Sequence, residues 1–225
     1  MPFTNRLWGF HDTTLSRHVR FAYQALAIDE QRGLFEPTLW KQQPDATGQT
    51  LQQVWFAGVH SDVGGGYPDP SLAEIPLLWM TQRARECGLA FKPDYLQIPS
   101  GAPDPALRKE AAQIAPDPFG TLHNSRWGMY RLLPGRRRTM DPEGSARSAV
   151  ASSAVRRLQE KPGYAPSNLE EYLATATPPV TGPRLLVQRV SESVGGAEDG
   201  KALAFAIQRP MMSREGPCEI RTLVP

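Results

Sequence analysis

His60 stands at the end of an apolar run, Val54-Trp55-Phe56-Ala57-Gly58-Val59, and is followed by Ser61, Asp62, Val63 and the triplet Gly64-Gly65-Gly66. An imidazole titrates near neutrality and can both take and return a proton, so a histidine fixed at a strand end suits general-base chemistry. The run before it shows no polar face, which fits a strand covered on both sides rather than an alternating edge strand. Loops that follow such strands commonly carry the reacting groups. The three glycines permit positive φ and close backbone approach, which serves an active-site floor or any tight turn. His60 is therefore the leading candidate for a general base, with structural hydrogen bonding as the alternative, and Asp62, Gly64, Gly65 and Gly66 are the candidate supporting turn.

Ser61 and Asp62 do not complete a triad with His60, because neighbouring side chains on an extended chain point to opposite faces. Asp62 suits the capping of the turn through backbone N–H groups. His60, Asp62 and Asp69 lack the spacing of known metal sites, so no metal and no cofactor is expected. A phosphate-cradling loop is excluded, since neither G-x-G-x-x-G nor a glycine loop ending in Lys-Ser or Lys-Thr occurs. The G-x-S-x-G elbow that presents a nucleophilic serine is also absent from the 225 residues.

The remaining polar clusters read as structural. Asp29-Glu30-Gln31-Arg32 is expected to be a solvated helix terminus with Arg32 pairing locally. His11 and His18 flank the same helix without evident partners, and His123-Asn124-Ser125-Arg126-Trp127 reads as a capped polar loop; a place over a pocket is the alternative. Arg136-Arg137-Arg138, with Arg131 nearby, reads as a solvated basic turn; contact with lipid headgroups is the alternative.

These groups must be positioned by few regular elements, because 22 prolines and 19 glycines imply long connections. Val19, Ala22, Tyr23 and Leu26 recur at helical spacing and predict a helix over 15–29, capped by Asp12, Thr13 or Thr14. Residues 35–40 are expected to be extended. A second helix starts near Ala73, takes Pro76 in its first turn and stops at Gly88. A short helix is predicted within 104–115, a hairpin over 127–133 and 136–140, helices over 147–160 and 168–176, and short strands within 185–190 and 202–207. Residues 1–175 are expected to form one α/β unit, with 176–225 a tail of unknown class.

At this length the chain can bury about 70 % of its unfolded surface. A net charge of +2 provides no global field for nucleic acid. Cys87 and Cys218 make neither a C-x-x-C pair nor a disulfide scaffold, which suits a reducing compartment. No apolar run approaches the roughly 18 residues of a membrane span, and the first residues do not lead into a signal-peptide core.

Three motifs in order, Phe21 to Arg32, Phe35 to Trp40 and Val54 to Tyr67, resemble the later half of the type VI secretion lipase effector catalytic domain. The similarity continues more weakly through Leu77 to Met80, Gly88-Leu89, His123 to Arg131 and Tyr164 to Leu169. That family includes bacterial phospholipases of the α/β-hydrolase fold. The resemblance implies a partial α/β-hydrolase-like sheet with flanking helices, loop-rich and lacking the N-terminal strands. It implies a Ser-Asp-His triad in which His60 matches the histidine, while the serine elbow and the acid-bearing strand have no counterpart here. Ser153-Ala154-Val155 departs from relatives that have a histidine-containing helix start.

The implied role is the C-terminal, histidine-supplying portion of a phospholipase-like serine ester hydrolase, inactive alone. The alternative is a non-catalytic remnant or protein-binding module that keeps part of the fold. The implied partners are a phospholipid or other ester substrate, and the missing N-terminal half or secretion-apparatus proteins. The implied location is the cytoplasm, with type VI export that needs no signal peptide.

Overall fold

In the computed structural model, which describes residues 13–91, 96–97, 112–140, 148–175 and 180–181, the two longest strands lie side by side and parallel. Strands β1 (Thr14–Leu15) and β3 (Lys41–Gln42) form a small parallel pair. Strand β2 (Phe21–Ala27) pairs with β4 (Thr50–Phe56) from Phe21 opposite Thr50 to Ala27 opposite Phe56. Helices α1 (His60–Gly64) and α2 (Glu74–Glu86) follow β4, and β5 (Leu96–Gln97) pairs with β6 (Ala112–Gln113). Strand β7 (Ala149–Ala151), helix α3 (Ser152–Glu160), helix α4 (Ser167–Thr175) and strand β8 (Val180–Thr181) complete the order. The main sheet runs β2-β4-β7-β8 with every neighbour parallel, so the chain has an α/β fold with helices flanking a parallel sheet.

The apolar run before His60 behaves as a central strand should. Val54 and Trp55 are wholly buried and Phe56 nearly so, against Leu26, Val150, Trp79 and Leu169 in one core. Trp79 of α2 takes the ring of Tyr23 edge-on at 6.0 Å between centroids and the ring of Phe56 at 5.7 Å, joining helix to sheet by aromatic contact. Helix α2 ends at Cys87, with Gly88 in the left-handed region at φ +93°, as its terminal glycine predicts.

Three expectations are corrected. The helix predicted over 15–29 is instead strand β2: its short apolar run fits either period, and the seven-residue ladder on β4 decides for the strand. The predicted hairpin after Trp127 is a single 3₁₀ turn over Gly128–Arg131, and Gly135 forms an isolated antiparallel bridge with Arg32 instead. The helix predicted over 147–160 starts at Ser152, because Ala149–Ala151 is taken into the sheet beside β4. The helix predicted over 168–176 is α4. Within 104–115, Ala112–Gln113 is a strand and Ile114 and Ala115 lie in neither helix nor strand; residues 104–111, His11, Asp12 and the strands predicted within 185–207 lie outside the described residues.

Candidate active site

Because β2 and β4 are parallel, their C-terminal ends share one edge of the sheet, where α/β folds place ligands. Pairing continues past both strands: Ile28 N–H donates to Phe56 O and Asp29 N–H to Gly58 O, each at 3.0 Å. Asp29 and Glu30 are thereby set beside the Gly58–Asp62 turn. Gly58 N–H donates to Asp29 Oδ2 at 2.6 Å, and Tyr164 O–H reaches the same oxygen at 3.0 Å. Burial pushes the Asp29 carboxyl pKa up despite these two donors.

Asp62, third in helix α1, turns back over the helix start, where its Oδ2 accepts from Val59 N–H at 3.0 Å. It is nearly fully buried. Gly58 makes the turn possible: its φ is +120°, and a Cβ there would overlap the Asp62 Cβ. Gly58→Ala is therefore expected to cost about 2–3 kcal/mol and to displace the Asp62 carboxylate. Urea melts of the purified variant check the cost, and unchanged stability would refute the requirement for glycine.

The partner of Asp62 arrives from 61 residues along the chain. His123 Nδ1 lies 2.6 Å from Asp62 Oδ1, and His123 N–H donates to Asp62 Oδ2 at 3.2 Å. A carboxylate that is ionised only accepts, so with Asp62 in that form Nδ1 carries the proton of this bond, and a neutral His123 ring then has its lone pair on Nε2. Tyr67 stacks on the imidazole at 3.7 Å between centroids and 14° between planes, which fixes the ring from one face. The loop that delivers His123 is tied down before it arrives. Asp69 accepts from Thr121 N–H at 3.2 Å and Ser71 N–H at 3.1 Å, bonds that hold its carboxyl far below the usual carboxylate range. Arg157, buried in α3, donates to Pro118 O at 2.7 Å and Gly120 O at 3.0 Å, and Lys161 Nζ donates to Phe119 O at 2.5 Å.

Glu30 is the second organiser. Its carboxylate is wholly buried and accepts from Arg32 Nε at 3.0 Å, Arg32 Nη2 at 2.9 Å, Ser125 Oγ at 2.8 Å and His60 N–H at 3.1 Å. Burial acts to raise its pKa, but these donors together outweigh burial and hold it down at about 2. The expectation of a solvated helix end at 29–32 is thus corrected, although Arg32 does pair locally. Glu30 links β2, α1 and the His123 loop in one network.

His60, the expected base, sits exposed at the first position of α1. Its backbone N–H is held by Glu30, its ring lies 5.3 Å from the Phe35 ring, and among the described residues the ring makes no hydrogen bond to a carboxylate. Of its expected supporting turn, Asp62 faces His123, Gly64 ends α1, and Gly65 and Gly66 adopt φ of +87° and +115°. His18 is solvent-facing near β1. A cavity of about 500 Å³ opens beside the pair, lined by Asp29, Val59, His123, Ser125, Arg126 and Arg131 among others. Ser125 Oγ donates to Glu30 Oε1 at 2.8 Å.

Sequence reasoning passed over His123 because its loop looks like any capped polar turn. One signal was available: Asp62, in the turn after an apolar strand, is followed further along by a histidine in a polar loop, the two residue types that an Asp–His pair needs. Among the described residues no cluster of three or more His, Cys, Asp or Glu side chains is placed to hold a metal ion. No helix among them is long and apolar enough to cross a membrane.

Residues 1–83, which include Asp62 but not His123, match the family model described as T6SS, phospholipase effector Tle1-like, catalytic domain. Neither a curated protein nor a solved structure matches the chain.

Proposed function

We propose that this chain, whose residues 1–83 match the Tle1-like phospholipase effector family model, supplies the acid and the base of a serine ester hydrolase. The reading rests on one observation: buried Asp62 meets His123 Nδ1 at 2.6 Å on the rim of a cavity at the C-terminal edge of a parallel sheet. His123, rather than His60, acts as the base. Its Nε2 takes the proton from a serine Oγ as that oxygen attacks the ester carbonyl carbon, and returns it to the leaving alcohol. Asp62 holds the tautomer and stabilises the imidazolium formed in between. The substrate class that fits the family is a phospholipid.

The serine comes from polypeptide outside these 225 residues, since no G-x-S-x-G occurs among them. The chain alone is therefore expected to give neither ester turnover nor a stoichiometric fluorophosphonate adduct. Mixed with a segment that carries the elbow, it should restore turnover, with the adduct on that segment's serine. Mass spectrometry that finds a stoichiometric adduct on a serine of this chain alone would overturn the division of roles.

A further inference from the structure

The loop after His123 holds apolar side chains in solvent. Trp127 is 73 % exposed, Met129 76 % and Leu132 86 %, with Leu122 and Leu133 also exposed. Such a concentration on a soluble surface is unusual and marks contact with something apolar. It is not the result of a slack loop. Tyr130, in the middle of the 3₁₀ turn, points inward, with its ring 6.3 Å from Phe35 and the Arg32 guanidinium 5.0 Å from its centroid. Arg126 Nη2 donates to Leu133 O at 2.7 Å across the loop, while Ser125 Oγ on Glu30 at 2.8 Å and Arg136 N–H on Gln31 O at 2.8 Å tie its two ends to the body. With the base of the loop pinned, Trp127, Met129 and Leu132 stay outward.

The charge around this tip is of one sign. From Thr121 to Met140 the sequence contains Arg126, Arg131, Arg136, Arg137 and Arg138 and no acidic residue. Arg131 and Arg137 are exposed; among the described residues Arg137 donates to the Ser167 hydroxyl, and Arg136 pairs with exposed Glu36. Tryptophan beside arginine is the composition that settles at a bilayer interface, the indole at headgroup level and the guanidinium on phosphate. We propose that residues 126–137 form a docking surface for the anionic phospholipid bilayer, inserting Trp127, Met129 and Leu132 at the interface. Arg126 and Arg131 belong both to this surface and to the cavity lining, with exposed Leu122 of the same lining nearby, so docking would bring the cavity mouth down on the lipid. The choice of lipid as occupant rests on the phospholipase reading; the exposure and charge do not.

The test is cosedimentation of the full chain with vesicles of ether-linked phosphatidylcholine, with and without phosphatidylglycerol. Ether lipids cannot be hydrolysed at the acyl positions, so binding is read apart from turnover. Binding is expected to be stronger with phosphatidylglycerol and weakened by salt, with a blue shift of tryptophan emission that Trp127→Phe removes. Trp127→Ser combined with Leu132→Ser should lower partitioning at least about tenfold. Arg131→Glu should lower it about fivefold or more on anionic vesicles only. Met129→Ser repeats the test if the double variant melts early. Failure of the wild-type chain to bind anionic vesicles overturns the proposal, as does a double variant that binds like wild type. Self-association that the double variant abolishes overturns it too, since the surface would then be a protein contact. A chain that binds ether lipids but yields no ester turnover with any elbow-bearing segment leaves docking standing and removes the hydrolase reading instead.

Discussion

In the enzyme completed by an elbow-bearing segment, His123→Ala is expected to lower kcat/KM by about 10³–10⁴-fold, while His60→Ala stays within about threefold of wild type. His123 has what a base requires: a buried carboxylate 2.6 Å from Nδ1 to fix its tautomer, a stacked Tyr67 to fix its plane, and a place on the cavity wall. Among the described residues His60 has none of these, and loss of its ring removes the contact with Phe35. Asp62→Asn should approach the His123 loss, because an asparagine NH₂ group facing Nδ1 favours the tautomer with its proton on Nε2 and leaves no base toward the serine. Steady-state kinetics on a soluble ester, with the three variants measured beside wild type, decide the matter. Turnover abolished by His60→Ala and retained by His123→Ala would reverse the assignment.

The largest stability effect is expected at Glu30. Glu30→Gln removes the buried counter-charge of Arg32 and weakens the bonds from Ser125 Oγ and His60 N–H, which should cost about 3 kcal/mol at neutral pH. For a chain of this size that is a fall in Tm of about 6–12 °C. The pH dependence carries a sign that can be checked. The folded pKa of about 2 lies below the ordinary 4.5, so the unfolded chain binds the proton more readily. The contribution is therefore complete above about pH 4.5 and is lost as pH falls through about 2, amounting to about 3 kcal/mol. Urea melts at neutral and acid pH should show the wild-type advantage over Glu30→Gln shrinking across that window. An advantage that persists unchanged at pH 2 would sink this account. Because Glu30 also holds His60 N–H at the start of α1, the variant should lose activity as well, through displacement of Asp62.

Local pattern reached the right element where one reading of the residues dominated. The wholly apolar stretch at Val54–Phe56 is a central strand, and Pro76 with Gly88 bounds α2 as first-turn and end signals do. Pattern failed at Phe21–Ala27, whose apolar residues fit a helical face and a buried strand equally; only the ladder to β4 separates them. It failed again at Ala149–Ala151, three residues too short to show any period. The basic turn after Trp127 looked like a hairpin, but Tyr130 gains more by packing on Phe35 and Arg32 than by pairing across a ladder.

By itself the sequence determined that an α/β layer ends in a glycine-bearing turn with Asp62 and His60, that no serine elbow lies in these residues, and that the motifs resemble one lipase family. Only the tertiary structure decided which histidine faces the acid. Asp62 and His123 are 61 residues apart, and the bond between them depends on Asp69, Arg157 and Lys161 holding a loop that has no period of its own. A contact of that separation leaves no trace in local spacing. Likewise, His60 next to Asp62 in sequence is separated from it in role, because a helix start turns one side chain out to solvent and folds the other back under the chain.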